Sequence, residues 1–127
     1  MSTIDPTPVL PRNFLRPCIL LLLREEPAHG YDLLERLEPL GFARADPGGL
    51  YRTLRALELE GLVESAWEAS ASGPDRRMYR ITRAGAEELH RLAAAVEEGR
   101  RRLDGFLGRY SEFVALPRER RTAPASR

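Results

Sequence analysis

The sequence contains no lysine: its twenty basic residues are all arginine, set against nineteen acidic ones, for a formal net charge of +1. Near-neutrality excludes a chain that grips nucleic acid or an acidic surface through its overall charge, so such a contact must come from a local patch. The arginine bias suits phosphate recognition, but a codon bias toward Arg and Ala explains it more simply. One cysteine, Cys18, is present, inside an apolar run. That leaves no disulfide framework and no cysteine-based zinc site, and it fits a reducing, cytoplasmic setting. The longest purely apolar run, Cys18 to Leu23, is far too short to span a bilayer, and no signal peptide precedes it, so no membrane partner is expected. Catalytic patterns are missing too. There is no Gly-rich phosphate loop and no Ser-His-Asp set, and Cys18 is badly placed for a nucleophile. His29 and Asp32, at i and i+3, supply two metal-ligand types without a third. No catalytic residue, metal or cofactor is expected, and the chain is read as a non-enzyme.

What is present is organised around residues 46–63. Asp46 suits an N-cap, Pro47 the first helical position, and Gly61 the left-handed position past the helix end, which predicts a helix over about 47–60. Leu50, Leu54 and Leu57 recur at helical spacing on the side to be buried, leaving Arg52 and Arg55 outward with Tyr51 on the flank. A basic outer face of this kind fits a DNA major groove, although alone it reads more simply as a solvated face, since Glu58 and Glu60 dilute its charge.

The neighbouring segments give that helix a setting. At 127 residues, 43% hydrophobic and 31% charged, the chain is long enough for one small domain with an extension. Residues 1–11, with three prolines, are expected to be a flexible arm. A helix, apolar nearly all round, is predicted from Phe14 or Pro17 to Arg24, then a turn over 25–28 and a second helix over 29–38, closed by Pro39 and Gly41. Gly30 within it suggests close backbone packing. After Gly61 the pattern alternates: a strand over 62–68, a polar loop over 69–75 and a returning strand over 76–81 form a hairpin behind the basic helix, with Arg76 and Arg77 at its edge. Thr82 then caps a helix expected over 83–113, roughly 45 Å long at 1.5 Å per residue. Its apolar residues form a heptad, with Leu89, Val96, Leu103 and Tyr110 in one set and Leu92, Gly99, Phe106 and Phe113 in the other, which points to self-association. Trp67, Phe106 and Tyr110 are candidates for an aromatic effector pocket at the dimer centre, with core packing the alternative use of each. The tail, residues 115–127, is expected to be disordered. The fold class is therefore mainly α with a small β-hairpin. It comprises a winged helix-turn-helix domain over 12–82 followed by a long dimerisation helix over 83–114.

Three stretches carry a family resemblance. The run Leu20 to Leu23 with His29-Gly30-Tyr31-Asp32-Leu33, then Gly49-Leu50-Tyr51-Arg52-Thr53-Leu54 through Leu57-Glu58-Leu59-Glu60-Gly61-Leu62-Val63, then Arg77-Met78-Tyr79-Arg80-Ile81-Thr82-Arg83-Ala84-Gly85, resembles the PadR family of bacterial transcriptional regulators. The likeness spans about residues 12–113. Within the family, residues 11–20 and 73–77 look most like the branch of polyhydroxybutyrate-responsive repressors. The resemblance implies a homodimer built through the C-terminal helix, with the third helix and wing on a pseudo-palindromic operator in double-stranded DNA. It also implies repression relieved by a small-molecule or surface effector. Carried over by position, Tyr51, Arg52 and Arg55 lie on the recognition helix, His29 and Tyr31 near the DNA backbone, and Arg76 and Arg77 on the wing. Two positions depart from the family pattern. Gly49 stands where a serine or threonine is common, and Leu59 where a charged residue is usual. A different reading also fits the sequence: a winged-helix interaction module that docks a partner protein or granule surface without touching DNA.

Overall fold

The computed structural model describes residues 10, 13–42 and 46–114. The arm over 1–11, Leu10 excepted, Arg12 and the tail over 115–127 fall outside the described residues. In order come α1 (Leu15–Glu25), β1 (Ala28–His29), α2 (Gly30–Arg36), a short 3₁₀ turn (Glu38–Leu40), α3 (Pro47–Leu59), β2 (Val63–Glu68), β3 (Arg76–Ile81) and α4 (Arg83–Tyr110). The strands form one antiparallel sheet in the order β1-β3-β2. This is the winged helix-turn-helix arrangement with a long C-terminal helix. The chain divides into two compact units, residues 1–94 and 95–127.

Local chemistry explains α3. The Asp46 carboxylate accepts from the Gly48 and Gly49 amides at 3.2 and 3.0 Å, satisfying donors that have no partner inside the helix. At the other end Gly61 adopts φ +80°, and its amide donates to Glu58 while that of Leu62 donates to Leu57 at 2.9 Å. These two bonds close the helix in a Schellman motif. Leu50, Leu54 and Leu57 are fully buried against Ile19, Leu20 and Leu23 of α1 and Leu33 and Leu37 from the α2 region. The nearly all-apolar α1 is the centre of that core, as its lack of a polar face requires; Leu21 alone of its leucine run is exposed. A two-pronged pair from Arg16 to Glu60, at 3.0 and 2.8 Å, ties α1 to the end of α3.

Three expectations need correction. Residues 28–29 are a strand where a turn and a helix start were expected. Ala28 pairs with Tyr79 and His29 with Met78, so the sheet has three strands and the wing is anchored to the helical part. The extended Glu26, just before Pro27, sets the chain on that course. The second helix ends at Arg36, and Pro39 stands in the following 3₁₀ turn, where its missing N–H is no loss. The long helix stops at Tyr110; Phe113 lies in a turn whose amide donates to Tyr110 at 2.9 Å. Leu89 and Leu92, two of the residues expected in the dimer seam, are half-buried, and their inner sides pack on the core of their own unit, because the first turns of α4 lie beside that core.

Candidate nucleic-acid interface

Burying the three leucines of α3 necessarily turns Tyr51, Arg52 and Arg55 outward. The Arg52 side chain is 78% exposed, and its terminal nitrogen stands 3.7 Å from the Asp46 carboxylate. Exposed Arg55 has no ion pair among the described residues. Tyr51 is half-exposed and does two things, because its ring lies directly against Gly30. A Cβ at position 30 would come within 2.6 Å of the Tyr51 Cε1, so the close packing expected at Gly30 is present and its partner is the flank of α3. Tyr31, next in the chain, is 65% exposed.

The wing presents its two arginines on opposite faces. In the β2–β3 register Trp67 faces Arg77 and Glu68 faces Arg76, and opposed residues share a face of the sheet. The face with Val63, Ser65, Trp67, Arg77, Tyr79 and Ile81 begins in the core, where Val63 and Tyr79 are buried, and continues outward beside α3. Burial raises the Tyr79 phenol above its usual range despite the nearby positive charge of Arg77. Arg77 donates from Nε to the Ser65 hydroxyl at 2.9 Å, Ser65 donates to Glu58 of α3 at 2.7 Å, and the Arg77 guanidinium lies 5.0 Å from the Trp67 ring centre. Tyr51, Arg55, Glu58, Leu59, Arg77 and Tyr79 together line a half-open groove of about 580 Å³ between α3 and the hairpin. Two arginines thus face one cleft, one from α3 and one from the wing.

His29 stands differently from the rest. Only 12% of its side chain is exposed, its Nε2 is 2.9 Å from the Glu68 carboxylate, and its Nδ1 is 3.5 Å from Asp32. With a carboxylate at each ring nitrogen, it joins β1 to the end of β2. The suggested effector trio draws on both units. Trp67 lies under Arg77 in the first unit, while Phe106 and Tyr110 stack on each other in the second, ring centres 6.3 Å apart and planes 2° from parallel. There Leu103, Phe106, Leu107, Tyr110, Phe113 and Val114 are exposed. Val96 is half-buried. Among the described residues no helix is long and apolar enough to cross a membrane, and no three His, Cys, Asp or Glu side chains converge as a metal site.

Glu58, Ser65 and Glu68 were not singled out from the sequence. Period-two alternation places Ser65 and Trp67 on one face, but the register that brings Arg77 to them is a property of the folded hairpin.

A profile of the transcriptional regulator PadR-like family matches residues 19–91. The transcriptional regulator Rv3488 of Mycobacterium tuberculosis is 37% identical over 91 residues, covering 68% of this chain and 83% of that protein. A PadR-like transcriptional regulator from Bacillus cereus has a similar crystal structure, with TM-score 0.65 and 31% identity over 73% of this chain and 90% of that one. The Bacillus subtilis PadR, crystallised with operator DNA, superposes with TM-score 0.57 and 31% identity over 62% of this chain and 46% of its own.

Proposed function

The chain belongs to the PadR-like family of transcriptional regulators, and from that premise we propose that α3 and the wing form a sequence-reading DNA face, presented twice by a homodimeric repressor. The observation that carries this reading is the shared groove, across which Arg55 of α3 and Arg77 of the wing stand as two cations on one surface. Arg52 and Arg55, exposed on the helix, are assigned to base edges and neighbouring phosphates, and Tyr31, Tyr51, Arg76 and Arg77 to the backbone. His29 is assigned to bracing the wing, since two carboxylates beside it disfavour a phosphate. The N-terminus of α3, where Gly49 replaces a hydroxyl residue, is left out of the contact, because Asp46 already takes the Gly48 and Gly49 amides and Pro47 has none.

The dimer is assigned to the exposed apolar residues of 103–114, which a second copy would cover. Two readers on a symmetric dimer meet half-sites about 34 Å apart, one helical turn. An effector relieves repression only through its differential affinity for dimers of different spacing. The narrower likeness to polyhydroxybutyrate-responsive repressors receives no support from these relatives. A cytoplasmic location follows from the regulator role.

The test is fluorescence anisotropy against duplexes tiling the promoter of the protein's own gene, at two salt concentrations, with unrelated DNA as control. Tight, salt-steep binding to one tile is the expected result. Arg52→Ala or Arg55→Ala should change sequence preference, whereas Arg77→Ala should weaken all sequences and flatten the salt slope. Leu59, 83% exposed at the end of α3, favours the interaction-module reading. Equal, weak binding to every tile at low salt would decide for that alternative.

A further inference from the structure

Resting on the DNA-binding reading above, the geometry points to Glu58 and Ser65 as positioning residues that latch the wing's Arg77 in a phosphate-ready pose before DNA arrives. The hydrogen-bond chain has a fixed direction. Glu58, an acceptor only, takes the single hydroxyl proton of Ser65 at 2.7 Å, so the Ser65 oxygen has only lone pairs left to offer Arg77 Nε at 2.9 Å. Arg77 is opposite Trp67 in the ladder, and its guanidinium lies 5.0 Å from that ring's centre while Nε reaches back to Ser65. Nε and one π-face are thereby engaged, and the four N–H donors of the terminal nitrogens are kept for an anion. An arginine near the end of a small hairpin would otherwise sample many rotamers. Held from two sides, it loses less freedom on binding.

The latch predicts an effect opposite in sign to simple electrostatics. Glu58 is a negative charge on the helix assigned to DNA, so its removal should strengthen binding if it acted only through charge. Glu58→Ala and Glu58→Gln remove that charge equally, but only glutamine retains an oxygen for the Ser65 hydroxyl. The difference between the two variants therefore reads the latch alone.

The experiment uses the full chain, a random-sequence duplex at low salt, and the tile selected above. Glu58→Ala should bind both DNAs about fivefold more weakly than Glu58→Gln, the loss expected of one net hydrogen bond. Ser65→Ala should weaken binding to the same degree, and the double variant Glu58→Ala/Ser65→Ala no further. In an Arg77→Ala background the Glu58→Ala loss should vanish. Trp67 is the sole tryptophan, so its acrylamide quenching should rise in Glu58→Ala and Ser65→Ala but not in Glu58→Gln, with thermal melts checking that each variant is folded. Equal DNA affinity of Glu58→Ala and Glu58→Gln, with unchanged Trp67 quenching, overturns the latch while the DNA-binding reading stands. Wild-type protein that binds neither duplex overturns the DNA-binding reading and the latch's purpose together.

Discussion

Adding one methyl group at Gly85 should damage this protein far more than adding one at Gly30, although both glycines sit in the first turn of a helix and both are buried. At Gly85 the new Cβ would run into the Leu62 carbonyl oxygen and lie 3.0 Å from that carbonyl's carbon and 2.7 Å from Ile81 Cγ1. The Leu62 oxygen cannot move aside, because it accepts the Thr82 amide at 3.1 Å, while Thr82 itself donates to the Gly61 oxygen at 2.7 Å and accepts from Gly85 at 3.0 Å. The start of α4 must therefore lift from the end of α3. Overpacking of this kind costs about 1–3 kcal/mol. Loss of the Thr82–Leu62 bond adds about 1 kcal/mol, and the helix preference for alanine returns up to about 1 kcal/mol. The net of about 2 kcal/mol lowers the melting temperature by roughly 10 °C for a domain of this size. At Gly30 the obstacle is the ring edge of Tyr51, the far end of an exposed side chain that can swing outward. Gly30→Ala should therefore change stability by less than about 1 kcal/mol. Its damage should appear instead in DNA affinity, through a displaced Tyr51. Circular dichroism melts at one matched protein concentration decide the matter. A Gly85→Ala melt within about 2 °C of wild type, or an equal loss from Gly30→Ala, would refute the distinction between a backbone and a side-chain obstacle.

Asp46→Ala should destabilise the protein by about 1 kcal/mol in urea unfolding, because it strips the cap from the Gly48 and Gly49 amides. Burial pushes the Cys18 thiol up to about 11, so the native protein should resist iodoacetamide at pH 8 and become modified once unfolded, as an intact-mass measurement would show. The hydrogen bond from Arg16 holds the Glu60 carboxyl below its usual range. With a folded-state value below the unfolded one, its stabilisation is present above the ordinary carboxylate range and lost as pH falls through the depressed value. The pair is solvent-screened, so Glu60→Gln should remove about 0.5 kcal/mol at neutral pH and flatten the acid side of a urea-midpoint profile.

The limits of α3 and the hairpin were legible because their determinants are local. Asp46, Pro47 and Gly61 act on backbone groups within a few residues, and alternation after Gly61 needs no knowledge of the rest of the chain. The exposure of Arg52 and Arg55 follows from the same periodicity, once the leucines are taken as the inner face. Leu89 and Leu92 mark the limit of that inference. A heptad tells which side of a helix is apolar, but not whether the same chain or a second copy covers it.

The sequence by itself therefore determined the order of the four α-helices and the two hairpin strands and which side of α3 and the hairpin is buried or charged, since spacing along a helix or strand is set by backbone geometry. Tertiary structure alone decided that Ala28 joins the sheet, that Gly30 receives the Tyr51 ring, and that His29 meets Glu68, 39 residues away. It likewise decided that Arg77 is held by Ser65 and Glu58. Each of these contacts joins residues from different elements, and their separation depends on how the whole leucine core packs, a quantity no local pattern encodes.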